Sequence, residues 1–171
     1  MVRRDTPMEV SVKGALAGMA GTIVLTAALR TAARVVGGRQ EATEPAGPAS
    51  PQEPAAPPAR LVSKVAAGVF ERDLPPQTQR LLGQGIHWGY GALWGMIYGI
   101  VQASIRLPVL MHGSILGLIV WLVGPLGLAR ALKLAPPEVN EQRRLPLRSL
   151  FFHELYGWSV ALVFALLWRE G

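Results

Sequence analysis

Leu107–Ala129 reads LPVLMHGSILGLIVWLVGPLGLA, a run without a charged residue that stands between Arg106 and Arg130. A helix needs about 20 mostly apolar residues to cross a hydrocarbon core about 30 Å thick. This stretch is long enough, and two others match it. Leu81–Ile105 lies between Arg80 and Arg106, and Ser149–Trp168 lies between Arg148 and Arg169, broken only by Glu154. Gly14–Leu29, between Lys13 and Arg30, is shorter. It extends to Val36 when Arg30 and Arg34 snorkel their charges to the interface. The sequence therefore predicts an all-α polytopic membrane protein, a bundle of four transmembrane helices.

The composition agrees with this reading. Half of the 171 residues are apolar, only 16% are charged, and the mean hydropathy is +0.30. The net charge is +6, carried by Lys and Arg at the ends of the apolar stretches, where they meet anionic lipid headgroups. No zinc-finger spacing, ribonucleoprotein-type aromatic motif or basic helix points to nucleic acid. The chain has no Cys, which excludes disulfides, thiol chemistry and thiolate metal sites.

The chain divides into four parts. Residues 1–36 hold an N-terminal tail and the first span. Residues 37–59 form a Pro-rich linker with Pro45, Pro48, Pro51, Pro54, Pro57 and Pro58, a spacing that favours extended polyproline II. Residues 60–80 form an interfacial segment, with Leu61, Val62, Val65, Val69 and Phe70 on one helical face, ended by Pro75-Pro76. Residues 81–171 hold the remaining three spans, with a tight turn at Arg106-Leu107-Pro108 and a kink at Pro125. Four spans leave five positive residues on the side of the termini and twelve on the side of the long loops. The positive-inside rule places the long loops in the cytoplasm and both termini outside.

Glycines recur at spacing four. Gly14 and Gly18 mark the first span, Gly85, Gly89, Gly91, Gly95 and Gly99 the second, and Gly113 and Gly117 the third. Such faces let helix backbones approach closely in lipid, where no hydrophobic drive brings helices together. The recurrence on three helices argues first for a tight bundle; a homo-oligomer or a membrane protein partner is a further expectation, and under a transporter reading the Gly91-Gly95-Gly99 face is the candidate homodimer interface. Two motifs occur twice in the same order. A basic residue followed by G-x-x-x-G appears as Lys13-Gly14 to Gly18 and as His112-Gly113 to Gly117. H-x-x-Y-G appears as His87 to Gly91 and as His153 to Gly157. This predicts two related hairpins about an axis along the membrane normal.

Ionisable groups inside a span are costly and face the bundle interior. The candidate polar cluster is His87, Tyr90, His153, Glu154 and Tyr156, with His112 near the opposite surface. Histidine titrates near neutral pH, so a proton-responsive site is one reading and helix-end hydrogen bonding is the plainer one. His153-Glu154 opens like a zinc-protease motif, but the second His position holds Gly157. No nucleophile elbow or phosphate loop is present, so the sequence predicts no catalytic, metal or cofactor residues.

At the third and fourth spans the chain resembles YagU-like small inner-membrane proteins of unknown function. The likeness rests on Gly113-x-x-x-Gly117, Pro125 with Gly127, Pro136-Pro137, and the polar opening His153, Glu154, Gly157, Trp158 of an aromatic helix. The long Pro-rich insertion and the order of those polar residues depart from that family. The resemblance implies a bacterial inner-membrane location. The functional expectation is a non-enzymatic structural or partner-binding membrane subunit. A small proton-linked transporter or channel is the alternative, and an intramembrane metalloenzyme the third.

Overall fold

The computed structural model describes residues 6–41, 57–71, 73–105, 107–134 and 145–169, and these are helical with short connections. The helices are α1 (Pro7–Glu41), α2 (Pro57–Phe70), α3 (Pro76–Ser104), α4 (Val109–Ala131) and α5 (Leu145–Arg169).

α1 starts on a reciprocal cap. The Thr6 backbone N–H donates to Glu9 Oε2 at 2.7 Å, and the Glu9 N–H donates to Thr6 Oγ1 at 3.2 Å. Thr-x-x-Glu satisfies two of the helix's orphan donors, and Pro7 takes the first helical position, where its missing N–H costs nothing. The helix passes through Gly37-Gly38 to Glu41, where the sequence reading placed the start of a linker. Of that linker, residues 42–56 lie outside the described residues, and Pro57 and Pro58 belong to α2.

α2 ends at Phe70, before Pro75-Pro76, with Glu71 in the left-handed region at φ 49°. That conformation terminates a helix by turning the chain out of the α path. Its inward face is Ala59, Val62 and Ala66, which are buried, whereas Val65, Val69 and Phe70 stay exposed. The expected apolar face is thus split, because the small Ala59 lets α2 sit directly on Gly83 of α3.

At Pro125, where the sequence predicts a kink, Leu122–Leu128 widens into a π-helix. Proline lacks the N–H for an i→i−4 bond and its ring crowds the carbonyl four residues back. The wider turn relieves this, and the Ala129 N–H reaches back five residues to the Gly124 carbonyl.

α1 packs on α3 and on α5, α5 packs on α4, and α2 packs on α3, while α3 and α4 touch sparsely. α1 and α3 run antiparallel, Gly14 against Gly95 and Gly18 against Gly91. α4 and α5 run antiparallel, Gly113 against Gly157 and Gly117 against His153. α5 reaches α1 through Tyr156 and Val160 at Gly21. The interior is filled by Tyr98, Phe152, Tyr156, Val160 and Phe164.

Three helices are long and apolar enough to cross a membrane: Pro7–Val35, Val109–Ala131 and Leu147–Trp168. α3 has the length, 29 residues, but its glycines, aromatics and glutamines dilute its hydropathy.

The glycines separate into two kinds. A methyl group on Gly95 would lie 2.6 Å from the Gly18 N, and one on Gly18 2.9 Å from the Gly95 Cα. Gly85 and Gly89, expected to pack as well, have nothing within 4 Å. The Gly91-Gly95-Gly99 face, expected at an interface with a second copy, is buried against α1 of the same chain. Gly95→Ala is therefore expected to destabilise the protein by about 1–3 kcal/mol through forced backbone separation. Gly89→Ala is expected to be neutral, or stabilising by up to about 1 kcal/mol, since alanine favours a helix over glycine. Thermal unfolding in detergent separates the two: equal loss for both would refute the assignment of the contact face.

Candidate functional site

The candidate cluster assembles where α3, α5 and α1 meet. His87 lies on α3 and is half-buried, with its Nε2 3.4 Å from Thr26 Oγ1 of α1. Threonine at this position of α1 carried no sequence motif. His153 lies on α5, and its Nδ1 is 2.7 Å from the Ser149 carbonyl one turn earlier. A carbonyl only accepts, so Nδ1 carries the proton of this bond. His87 and Tyr90 lie on α3 and His153 and Tyr156 on α5, and the contact between the two sets is the Tyr156 hydroxyl on the Gly91 carbonyl.

Tyr156 is almost fully buried, and its hydroxyl donates to the Gly91 carbonyl at 2.7 Å. This bond ties α5 to α3 at the level where α3 lies closest to α1. It is possible because Gly91 presents bare backbone. Thr22 of α1 fills the space a side chain there would need, and its hydroxyl bonds the Gly18 carbonyl at 2.9 Å.

Glu154 is partly buried, and its Cα lies against Gly117. Among the described residues it makes no hydrogen bond or ion pair. No group of three or more His, Cys, Asp or Glu side chains able to hold a metal occurs among the described residues. His112 is held apart from the cluster. Its Nδ1 hydrogen-bonds Gln102 Oε1, and its ring lies 5.1 Å from that of Tyr98, which stands edge-on to Phe164. His112 is thereby the link between α4 and the far end of α3. Gln102, an isolated amide in an apolar run, was the available signal for it.

Two serines of the spans, Ser104 and Ser159, bond their own helix four residues back, at 3.1 and 2.7 Å. Ser114 does more: it accepts from Trp158 Nε1 at 2.8 Å and joins α4 to α5.

The repeated motifs pack in a register that differs from their alignment. Gly157 of α5 meets the Gly113 carbonyl and the Gly117 N, as Gly95 of α3 meets the Gly14 carbonyl and the Gly18 N. Gly117 meets the His153 carbonyl, as Gly18 meets the Gly91 carbonyl. By packing, then, Gly157 corresponds to Gly95 and His153 to Gly91. The motif alignment, which pairs Gly157 with Gly91, is displaced by one helical turn. Leu93-Trp94-Gly95 and Leu155-Tyr156-Gly157 are the segments in equivalent positions.

The loop end of the bundle is closed by α2. Arg60 Nη1 donates to the Leu134 carbonyl at 3.2 Å, and Lys64 Nζ donates to the Leu132 and Lys133 carbonyls at 2.7 and 3.1 Å. These carbonyls follow the C-terminal end of α4, where cations are favoured by the unsatisfied acceptors and the helix dipole.

No protein family, curated protein or solved structure matches the chain.

Among the described residues, the Tyr156 hydroxyl is the one side-chain donor that crosses from α5 to the backbone of α3. Tyr156→Phe is expected to lower stability by about 1 kcal/mol, the net worth of a hydrogen bond. Cysteines at positions 87 and 153, in a protein that otherwise has none, are expected to crosslink with a short bis-maleimide. Absence of the crosslink would break the cluster apart.

Proposed function

We propose that the chain is a multi-pass inner-membrane protein with four transmembrane helices, acting as a non-enzymatic structural or partner-binding subunit. The observation that carries this reading is the filling of the interior. Main chain meets main chain at Gly14, Gly18, Gly91 and Gly95 and again at Gly113, Gly117 and Gly157, with buried aromatic and β-branched side chains between. Such packing makes a rigid scaffold. α3 counts as the fourth span because it is as long as the others need to be, is sandwiched by α1 along its glycine face, and exposes Leu93, Met96, Ile97 and Ile100 on its other side. Its low hydropathy reflects glycines turned inward.

The order of the repeated motifs and the recurrence of one packing pattern support two related hairpins. The resemblance to YagU-like proteins supports a bacterial inner membrane. Arg30, Arg34, Arg80, Arg130 and Arg148 cluster toward the long-loop end, which supports its contact with anionic headgroups on the cytoplasmic side.

A proton-linked transporter is the second reading, favoured by one observation: Glu154, next to His153 on α5, makes no hydrogen bond or ion pair among the described residues. Proteoliposomes loaded with a pH-sensitive dye separate the two. Under the subunit reading an imposed pH gradient decays as in empty liposomes. A flux that His153→Ala abolishes would overturn it in favour of transport.

The topology has its own test. Thr6→Cys and Glu170→Cys are expected to react with an impermeant maleimide from the same, outer side of intact cells. Reaction from opposite sides would mean three crossings and would remove α3 from the spans.

A further inference from the structure

The two halves of α4 are held differently. Val109–Trp121 packs on α5 and buries His112, Gly113, Leu116, Gly117 and Val120. Beyond it, Leu122–Ala131 buries no residue and packs closely on no other helix. This stretch opens with the π-helical turns around Pro125, and proline and π-turns are where helices bend. It is an arm with a joint at its base.

The arm is fastened at its tip. A Schellman turn closes it: the Leu134 N–H donates to the Ala129 carbonyl at 2.8 Å and the Lys133 N–H to the Arg130 carbonyl at 3.0 Å, with Lys133 in the left-handed region at φ 51°. Lys64 and Arg60 of α2 take the next carbonyls, those of Leu132, Lys133 and Leu134, and Leu134 is buried. α2 in turn is seated on α3, with Ala59 against Gly83. It therefore ties the tip of the arm to a helix that α4 itself touches sparsely. Glu71, which ends α2, and Lys133 are the two non-glycine residues with positive φ among the described residues. Backbone conformations that cost an L residue thus stand at both ends of the tie, and such strain gathers at switch regions.

The fastening depends on charge and holds an excess of it. Arg60 and Lys64 stand on α2, and Arg130 and Lys133 on the turn that they grip. Among the described residues, none of these four cations bonds or pairs with a carboxylate. Lys64 is exposed, so a competitor can reach it. Leu132 is the first residue beyond the apolar span Val109–Ala131, which sets the tie at the level of the headgroup phosphates. A phosphate oxygen accepts from Lys or Arg more strongly than a neutral carbonyl does.

We propose that α2 is a latch on a hinged α4. Phosphate oxyanions draw Lys64 and Arg60 off the Leu132–Leu134 carbonyls, and the Leu122–Ala131 arm swings out about its π-helical joint. A lipid headgroup and a free phosphate share this chemistry. The inference rests on α4 spanning the bilayer and is the same whether or not α3 does.

The test uses the full chain in nanodiscs, with spin labels on Gly68→Cys of α2 and Ala131→Cys of the arm. A reference pair, Leu118→Cys and Leu162→Cys, reports on the packed half of α4 against α5. In phosphatidylcholine discs the first pair is expected to show one short separation. In phosphatidylglycerol discs a second is expected, longer by about 10 Å, the width of a helix. Inorganic phosphate added to phosphatidylcholine discs separates the sources: the longer separation there assigns release to free phosphate, and its absence assigns release to the headgroup. Arg60→Gln with Lys64→Gln is expected to give the longer separation in both lipids, with the reference pair unchanged. Should that variant not fold, the comparison of lipids in the otherwise unaltered protein decides alone. One unchanged separation in both lipids and with phosphate, or a short separation that persists in the folded double variant, would overturn the latch. A chain that does not co-elute with the discs would overturn the membrane reading, and the latch with it.

Discussion

Close approach of bare backbone is the constraint on which this structure depends. In lipid, helices gain nothing by hiding apolar surface from one another, so association relies on dispersion and on short-range polar contacts. Both grow as helix axes come together. Gly14 and Gly18 on α1 and Gly91 and Gly95 on α3 allow the two main chains to touch, and Gly113, Gly117 and Gly157 do the same for α4 and α5. Once α1 and α3 are in contact, Tyr156 of α5 can reach past Gly21 to the Gly91 carbonyl. That hydroxyl adds to the packing of α5 on α1 and to the Gln102–His112 hydrogen bond in holding the second hairpin against the first. Adding one carbon to any of these glycines would push the helices apart and withdraw the acceptor from the hydroxyl.

The two ends of the bundle are held by different means. At the end of the long loops, α2 lies across α3 and places Arg60 and Lys64 on the carbonyls that close α4. Two cations that a charge count assigns to lipid headgroups are partly occupied in capping a helix. At the other end the links are neutral: Gln102 with His112, Tyr98 with His112 and with Phe164. The ionic end stands by the loops, where water and headgroups screen charge, and the amide and aromatic end closes the apolar interior.

What the sequence made legible follows from what each signal is made of. The apolar runs gave the helices, because length and hydropathy are local properties; each helix nonetheless extends beyond its run, since Thr6-Pro7 and Pro76 start helices outside the hydrophobic limit. The Thr-x-x-Glu box at Thr6 was in plain sight and carried no hydrophobicity to draw attention to it. Glycine spacing identified the close-packing residues but not their partners. Gly85 and Gly89 have the same spacing as Gly91 and Gly95 and touch nothing, because which face of α3 meets α1 is decided by three helices together. For the same reason the glycine face expected to join two copies is consumed within one. Pro125 predicted a disturbance, and it takes the form of a π-helix over Leu122–Leu128. The repeated motif drew attention to His87 and His153; Thr26, Trp94 and Gln102, in no motif, carried no such signal.

The one-turn displacement between motif and packing says where the two hairpins differ. In equivalent places of the fold stand Trp94 on α3 and Tyr156 on α5. Each points a donor into the bundle from the position just before a contact glycine. Tyr156 finds the Gly91 carbonyl, which is exposed because Gly91 has no side chain. By packing, the counterpart of Gly91 is His153, whose side chain is present and whose imidazole is turned to Ser149. The donor of Trp94 is left without a protein partner, and Tyr90 beside it likewise. Trp121 of α4 also keeps a buried Nε1 without a partner, so each hairpin holds an indole donor unsatisfied. Their cost in an apolar interior is comparable to that of a lost core contact. Main-chain contacts lock α1 to α3 and α4 to α5, and the unsatisfied donors belong to α3 and α4, which touch one another sparsely.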